Sequence, residues 1–135
     1  MKKIIVTAAL FCVTFFYSQK NQNYLQIGYA SVCCGPPSEK PVISYLKEFK
    51  KKNQIKSLEI LIQGGMGREG EFNVYVGTDY LTVNQKSRLI RGLMATVSNQ
   101  NNRREQKSNG IVNFDSEITV KQQDINTKNL TIYKK

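Results

Sequence analysis

The sequence predicts a two-layer α+β sandwich in which one antiparallel sheet carries two helices on a single face. Three observations predict it. Two segments repeat apolar residues at helical spacing, several shorter runs alternate with the period of a strand, and the order along the chain is strand, helix, strand, strand, helix, strand.

The first strand is expected over Tyr24–Val32, where Leu25, Ile27 and Tyr29 share one face. Cys33-Cys34-Gly35-Pro36-Pro37 ends it, because consecutive prolines cannot feed a sheet ladder. Ser38 has the character of a helix N-cap, with Glu39 and a first-turn Pro41 behind it. Val42, Tyr45, Leu46 and Phe49 then form one apolar stripe, Lys47, Glu48, Lys50 and Lys51 take the outer side, and the helix should stop near Asn53.

Leu58, Ile60 and Ile62 mark a second strand, Gly64–Gly70 a turn, and Phe72, Val74 and Val76 a third strand, so the two strands form a hairpin. After a break at Gly77-Thr78-Asp79, Leu89, Ile90, Leu93 and Val97 make the stripe of a second helix over Val83–Ser98, with Lys86, Arg88 and Arg91 outside. Gly92 weakens this helix by about 1 kcal/mol relative to alanine and permits close packing. Asn99–Gly110 is polar and reads as a frayed helix end and a loop; Ile111–Val120 is a fourth strand. Leu130–Tyr133 is an optional fifth, C-terminal strand, expected beside the fourth across the polar Lys121–Asn129 stretch. Val42, Leu46, Phe49, Ile60, Val74, Leu89, Ile90 and Leu93 are the expected core between the layers. Two right-handed crossovers on one side of the sheet satisfy every apolar face, which is the βαββαβ, ferredoxin-like arrangement. That arrangement hosts many functions and decides none.

The chain start has the pattern of a secretory signal: Lys2 and Lys3, an apolar run from Ile4 to Phe16, then polar sequence from Ser18. The run is shorter than the roughly 20 residues that span a bilayer. Residues 1–19 are therefore expected to be a leader, cleaved near Ser18 or Gln19 so that the exported form begins between Gln19 and Asn21, and residues 20–135 a single exported domain, periplasmic or secreted. Removing 19 of 135 residues leaves 116, enough for one core, and losing Lys2 and Lys3 lowers the net charge from +10 to +8. Such an excess favours an anionic surface or an acidic protein as partner. The absence of histidine excludes Ser-His-Asp, Cys-His and His-based metal sites together.

The cysteines left after leader removal are adjacent, Cys33-Cys34. Three readings follow: packing as small hydrophobes, an oxidised pair (vicinal or intermolecular), or a thiolate pair for a soft ion such as Cu(I). Alternation along a strand that has not quite ended would send one inward and leave the other partly exposed. If instead the strand has opened, both sulfurs turn the same way just before a helix N-terminus, which favours thiolate. In topology and placement the pair is similar to the metal site of heavy-metal-associated domains, which use Cys-x-x-Cys in the first strand–helix loop. Here the spacer is absent.

Gly65-Met66-Gly67-Arg68-Glu69-Gly70 matches G-x-G-x-x-G, but a strand follows where a dinucleotide site needs a helix. It reads as a hairpin loop in which Gly65, Gly67, Arg68 and Gly70, with Tyr75 beyond, offer a contact surface. Glu69 or Glu71 with Asp79 is a conceivable acid–base pair without distinctive spacing. Tyr24 or Tyr29 with Tyr75 could stack bases as RNA-recognition modules do, but the Arg68–Val76 stretch lacks their alternating aromatics, and no nucleic-acid partner is expected. The expectation is a small basic, non-enzymatic binding domain without cofactor, recognising an envelope or extracellular protein or an anionic surface. The alternative is a soft-metal or thiol redox module built on Cys33-Cys34.

Overall fold

The computed structural model describes residues 21–104 and 110–134. The expected leader lies outside them. The elements are β1 (Asn23–Ala30), α1 (Lys40–Lys52), β2 (Ile60–Gln63), β3 (Phe72–Gly77), α2 (Val83–Asn102), β4 (Ile111–Lys121), a 3-10 turn over Gln122–Asp124, and β5 (Leu130–Ile132). They build one antiparallel sheet of order β4-β1-β3-β2-β5. The fold is α+β and consistent with a ferredoxin-like sandwich, its strand order extended at one edge by β5. No helix among the described residues is long and apolar enough to cross a membrane.

Each helix is specified locally. Pro41 occupies the first turn of α1, and Lys50, Lys51 and Lys52 place positive charge at its C-terminal end, where it complements the helix dipole. The N-cap of α1 is Glu39 rather than Ser38, and Ser38 Oγ instead accepts from Lys40 N–H one residue further in, at 3.2 Å. Thr82 caps α2 in a capping box with Gln85, a signal in the sequence that the reading above passed over. α2 also runs four residues beyond the expected Ser98. Its polar last turn is held by tertiary partners instead of apolar contacts: Gln100 Nε2 donates to Ser38 O, and the Asn101 amide pairs with both backbone groups of Val112.

The core between helices and sheet contains Leu25, Ile27 and Tyr29 from β1, Val42, Leu46 and Phe49 from α1, Ile60 from β2, Val74 and Val76 from β3, and Leu89, Leu93 and Val97 from α2. Ile90 lies at its margin, only partly buried. The helices meet at Gly92, where a β-carbon would stand 1.9 Å from Tyr45 Oη. The Tyr45 hydroxyl donates there to the carbonyls of Arg88 and Leu89.

The fifth strand corrects the expected pairing. β5 adds to β2, at the edge opposite β4. The physical reason is a second, smaller apolar cluster on the face away from the helices: Tyr24, Leu61, Tyr75 and Ile125 are all buried there. The Gln122–Asn129 connection crosses that face diagonally, inserts Ile125, and is fixed by Gln122 N–H to Gln22 O at one end and Gln63 Nε2 to Asn126 O at the other. Half of the nominally free sheet face is thus covered by the chain itself.

Candidate functional site

The uncovered half of that face holds a groove of about 600 Å³ lined by Gln26, Gly28, Met66, Glu71, Asn73, Asn113, Asp115 and Ile118, among others. Its form follows from the sheet register. Gly28 in the middle of β1 lies opposite Asn73 of β3 on one side and Asn113 of β4 on the other. At Gly28 the floor is bare backbone, between the neighbouring strand backbones about 10 Å apart, twice the strand spacing. A β-carbon on Gly28 would make ordinary contacts with Asn73 Oδ1 at 3.4 Å and Asn113 Cβ at 3.9 Å, so glycine is not a packing necessity there.

The β4 wall is raised by a bulge. Phe114 pairs with Ile27 and Thr119 with Leu25, so Asp115–Ile118 bow out opposite Gln26 alone. Asp115 Oδ1 accepts from Glu117 N–H at 2.9 Å, and Ile118 stands 55 % exposed. On the opposite wall, Glu71 Oε2 accepts from Glu69 N–H at 3.0 Å, and Asn73 donates to Tyr75 Oη at 3.2 Å. Each carboxylate is therefore oriented by backbone and keeps acceptor capacity. No lysine or arginine lines the groove. The helices on the opposite face of the sheet carry cations, Lys47, Lys50, Lys51 and Lys52 on α1 and Lys86, Arg88 and Arg91 on α2.

Two loops meet beyond the Ala30 end of the groove. Ser31 Oγ donates to Glu69 Oε2, and Gly35 N–H donates to Ser31 Oγ at 3.1 Å. The glycine-rich loop turns through positive φ at Gly65 and Gly70, which is why those positions are glycine. Its residues Gly65, Gly67, Arg68 and Gly70 are exposed, as a contact surface requires. Tyr75 is not part of that surface. It is 4 % exposed under the Ile125 connection, and its hydroxyl donates to Gln63 Oε1.

Cys33 and Cys34 form a vicinal disulfide, with both residues exposed. The expected arrangement, one cysteine inward and one outward, does not hold. β1 ends at Ala30, and the chain has left strand geometry before the pair, with Cys34 at φ 71° and Gly35 at φ 105°. Among the described residues no three histidine, cysteine or carboxylate side chains gather as a metal site.

The conceivable acid–base pair is also not assembled. Glu69 and Glu71 belong to the C-terminal end of β1, whereas Asp79 caps its N-terminal end. There Asp79 accepts from the N–H groups of Gln22 and Asn23 and, at 2.8 Å, from Asn23 Nδ2. Burial alone would raise the Asp79 carboxyl, but these hydrogen bonds and nearby Lys86 outweigh it and hold it below the usual aspartate range. Glu59 is occupied beside it, accepting at 2.8 Å from both Asn21 Nδ2 and the Tyr24 hydroxyl. Burial, then the Glu59 contact, pushes the Tyr24 phenol up. Tyr29 faces the helices, stacked on Phe72 at 4.4 Å, so Tyr24, Tyr29 and Tyr75 are all buried and none presents a ring for base stacking.

Gln26, Gly28, Asn73, Asn113 and Ile118 escaped the sequence reading. One signal was available: a glycine inside a strand of bulky residues marks a close approach or a gap. The bulge left no such mark. The chain matches no known protein-family model, no curated protein and no solved structure.

Proposed function

We propose that the protein is an exported, non-enzymatic binding domain whose ligand lies in the groove over Gly28. The observation that carries this reading is the groove itself, where a bare floor on the central strand is flanked by outward-facing amides and carboxylates. Close packing gives no reason for glycine there, since a β-carbon would make only ordinary contacts. The acid–base pair suggested by sequence, Glu69 or Glu71 with Asp79, is split between opposite ends of β1. The basic outer faces of α1 and α2 leave room for a separate contact with an anionic envelope surface. Export rests on the charged start and short apolar run of residues 1–19.

The test compares wild type with Gly28→Val, which fills the floor. Each is used to capture partners from envelope extract, and intact mass is measured on protein recovered from periplasm or medium. Loss of the captured partner in a variant that melts like the parent supports the groove. Equal capture by both overturns it, and recovery with residues 1–18 still attached overturns processing.

A second reading is favoured by one observation, the exposure of both Cys33 and Cys34 on a single turn. Reduced, such a pair offers two thiolates to a soft ion. Metal content and thiol titration of the purified protein decide it.

A further inference from the structure

The geometry points to an extended, basic polypeptide segment as the occupant of the groove, its backbone gripped by Asn73 and Asn113 over Gly28 and its cationic side chains met by Glu71 and Asp115. The inference rests on the groove reading above and adds the ligand's chemistry.

Width is the first argument. Neighbouring strands lie about 4.8 Å apart, so a single extended chain laid over β1 has its own N–H and C=O groups directed sideways at the two walls. Asn73 and Asn113 stand on those walls at the same level, since both are register partners of Gly28. A carboxamide carries one acceptor and a donor pair, which matches the C=O and N–H of a peptide unit. The protein already contains this pairing. Asn101 Nδ2 donates to Val112 O at 2.9 Å while its Oδ1 accepts from Val112 N–H at 3.0 Å, on the outer edge of β4.

Charge is the second argument. The chain carries a formal charge of +10, yet its groove is lined by two carboxylates and no cation. Glu71 precedes Phe72, the partner of Tyr29, and so lies level with Ala30; Asp115 lies level with Gln26 on the other wall. The carboxylates are therefore placed diagonally, four residue steps or about 13 Å apart along the strand direction. Basic residues about four positions apart in an extended ligand reach both. The cations on α1 and α2 belong to the helices on the opposite face of the sheet.

The experiment uses the isotope-labelled protein and a blocked peptide of about nine residues with two lysines about four positions apart. Its controls are a twin with glutamates for lysines, a twin N-methylated at the central amides, and a neutral oligosaccharide. The lysine peptide should bind with backbone shifts concentrated at Gly28, Asn73 and Asn113, and the binding should weaken with added salt. Glu71→Gln with Asp115→Asn, which removes two charge-assisted contacts, should weaken it by about ten-fold or more, and separately Asn113→Ala, which removes a neutral amide pairing, by about three- to ten-fold. Gly28→Val should abolish it; where that variant fails to fold, Asn113→Ala at an exposed position reads the same point. Equal binding of the glutamate twin overturns the charge argument, and equal binding of the N-methylated twin overturns the amide grip. Preference for the oligosaccharide, shifts confined to α1 and α2, or no binding of the lysine peptide overturns the inference outright. If the lysine peptide fails while Gly28→Val still loses the captured envelope partner, the ligand class is wrong and the groove reading survives. If Gly28→Val loses nothing, the groove reading itself has failed.

Discussion

Gly92→Ala sets two opposing effects against each other, and the structure decides the sign. In an exposed helix the change stabilises by about 1 kcal/mol, because glycine costs backbone entropy. In α2 the new β-carbon would stand 1.9 Å from Tyr45 Oη and 2.1 Å from its Cζ, so the ring must move. Overpacking of this kind costs about 1–3 kcal/mol. Displacing the hydroxyl from the Arg88 and Leu89 carbonyls, at 3.2 and 3.3 Å, adds about 0.5–1.5 kcal/mol. The net expectation is a loss of about 0.5–3.5 kcal/mol. In a domain of about 116 residues each kcal/mol lowers the melting temperature by about 4 °C, measurable by circular dichroism. The same substitution in a Tyr45→Ala background meets no ring and should stabilise by about 1 kcal/mol. The sign must therefore reverse between the two backgrounds. A Gly92→Ala variant that melts above the parent with Tyr45 in place would refute the close helix–helix contact.

Phe49→Ala should cost about 3–5 kcal/mol, since Phe49 is 5 % exposed in the main core; a melt within a degree or two of the parent would mean α1 does not pack as described. Asp79 shapes the acid limb of stability. Its folded-state pKa lies below the ordinary aspartate value of 3.8, so its contribution is complete above that value and is lost as pH falls through the folded one; Asp79→Asn should flatten the slope of stability against pH in that range. Ile125→Ala should cost about 2–5 kcal/mol and open the Gln122–Asn129 connection to proteolysis, and an unchanged cleavage pattern would place Ile125 outside the second cluster. Native protein should show no free thiol at Cys33 or Cys34 until mild reduction. Both should then alkylate without unfolding, whereas modification of only one would mean the other is buried.

The main core was legible because its signals are periodic. Val42, Leu46 and Phe49, or Val74 and Val76, announce a buried face by spacing alone, and the structure buries them all. Where a single residue's partners decide, the sequence was mute. Asn99–Asn102 looks like a frayed end, yet it continues α2 because Gln100 and Asn101 find backbone partners distant in sequence. Leu130–Ile132 carries strand character but no mark of which edge it joins; Ile125, one apolar residue in a polar run, made that choice. The groove combines a legible gap at Gly28 with a bulge that exists only through the β1–β4 register, so half of it could be foreseen. Cys33-Cys34 was located correctly as a motif and misjudged in orientation, because the strand ends three residues earlier than the pair.

The diagonal crossing of Gln122–Asn129 also orders events in time. A chain emerging N-terminus first can assemble β1 to β4 and both helices, but β2 remains an outer strand until β5 arrives. That strand is Ile60-Leu61-Ile62-Gln63, an apolar unpaired edge beside the uncovered rings of Tyr24 and Tyr75. Such an edge recruits other chains readily. Residues 122–132 thus cover the margin that the rest of the fold leaves open. A nascent chain, or one clipped after Lys121, presents a sticky margin that the finished protein hides, which predicts that C-terminal truncation is felt first as aggregation.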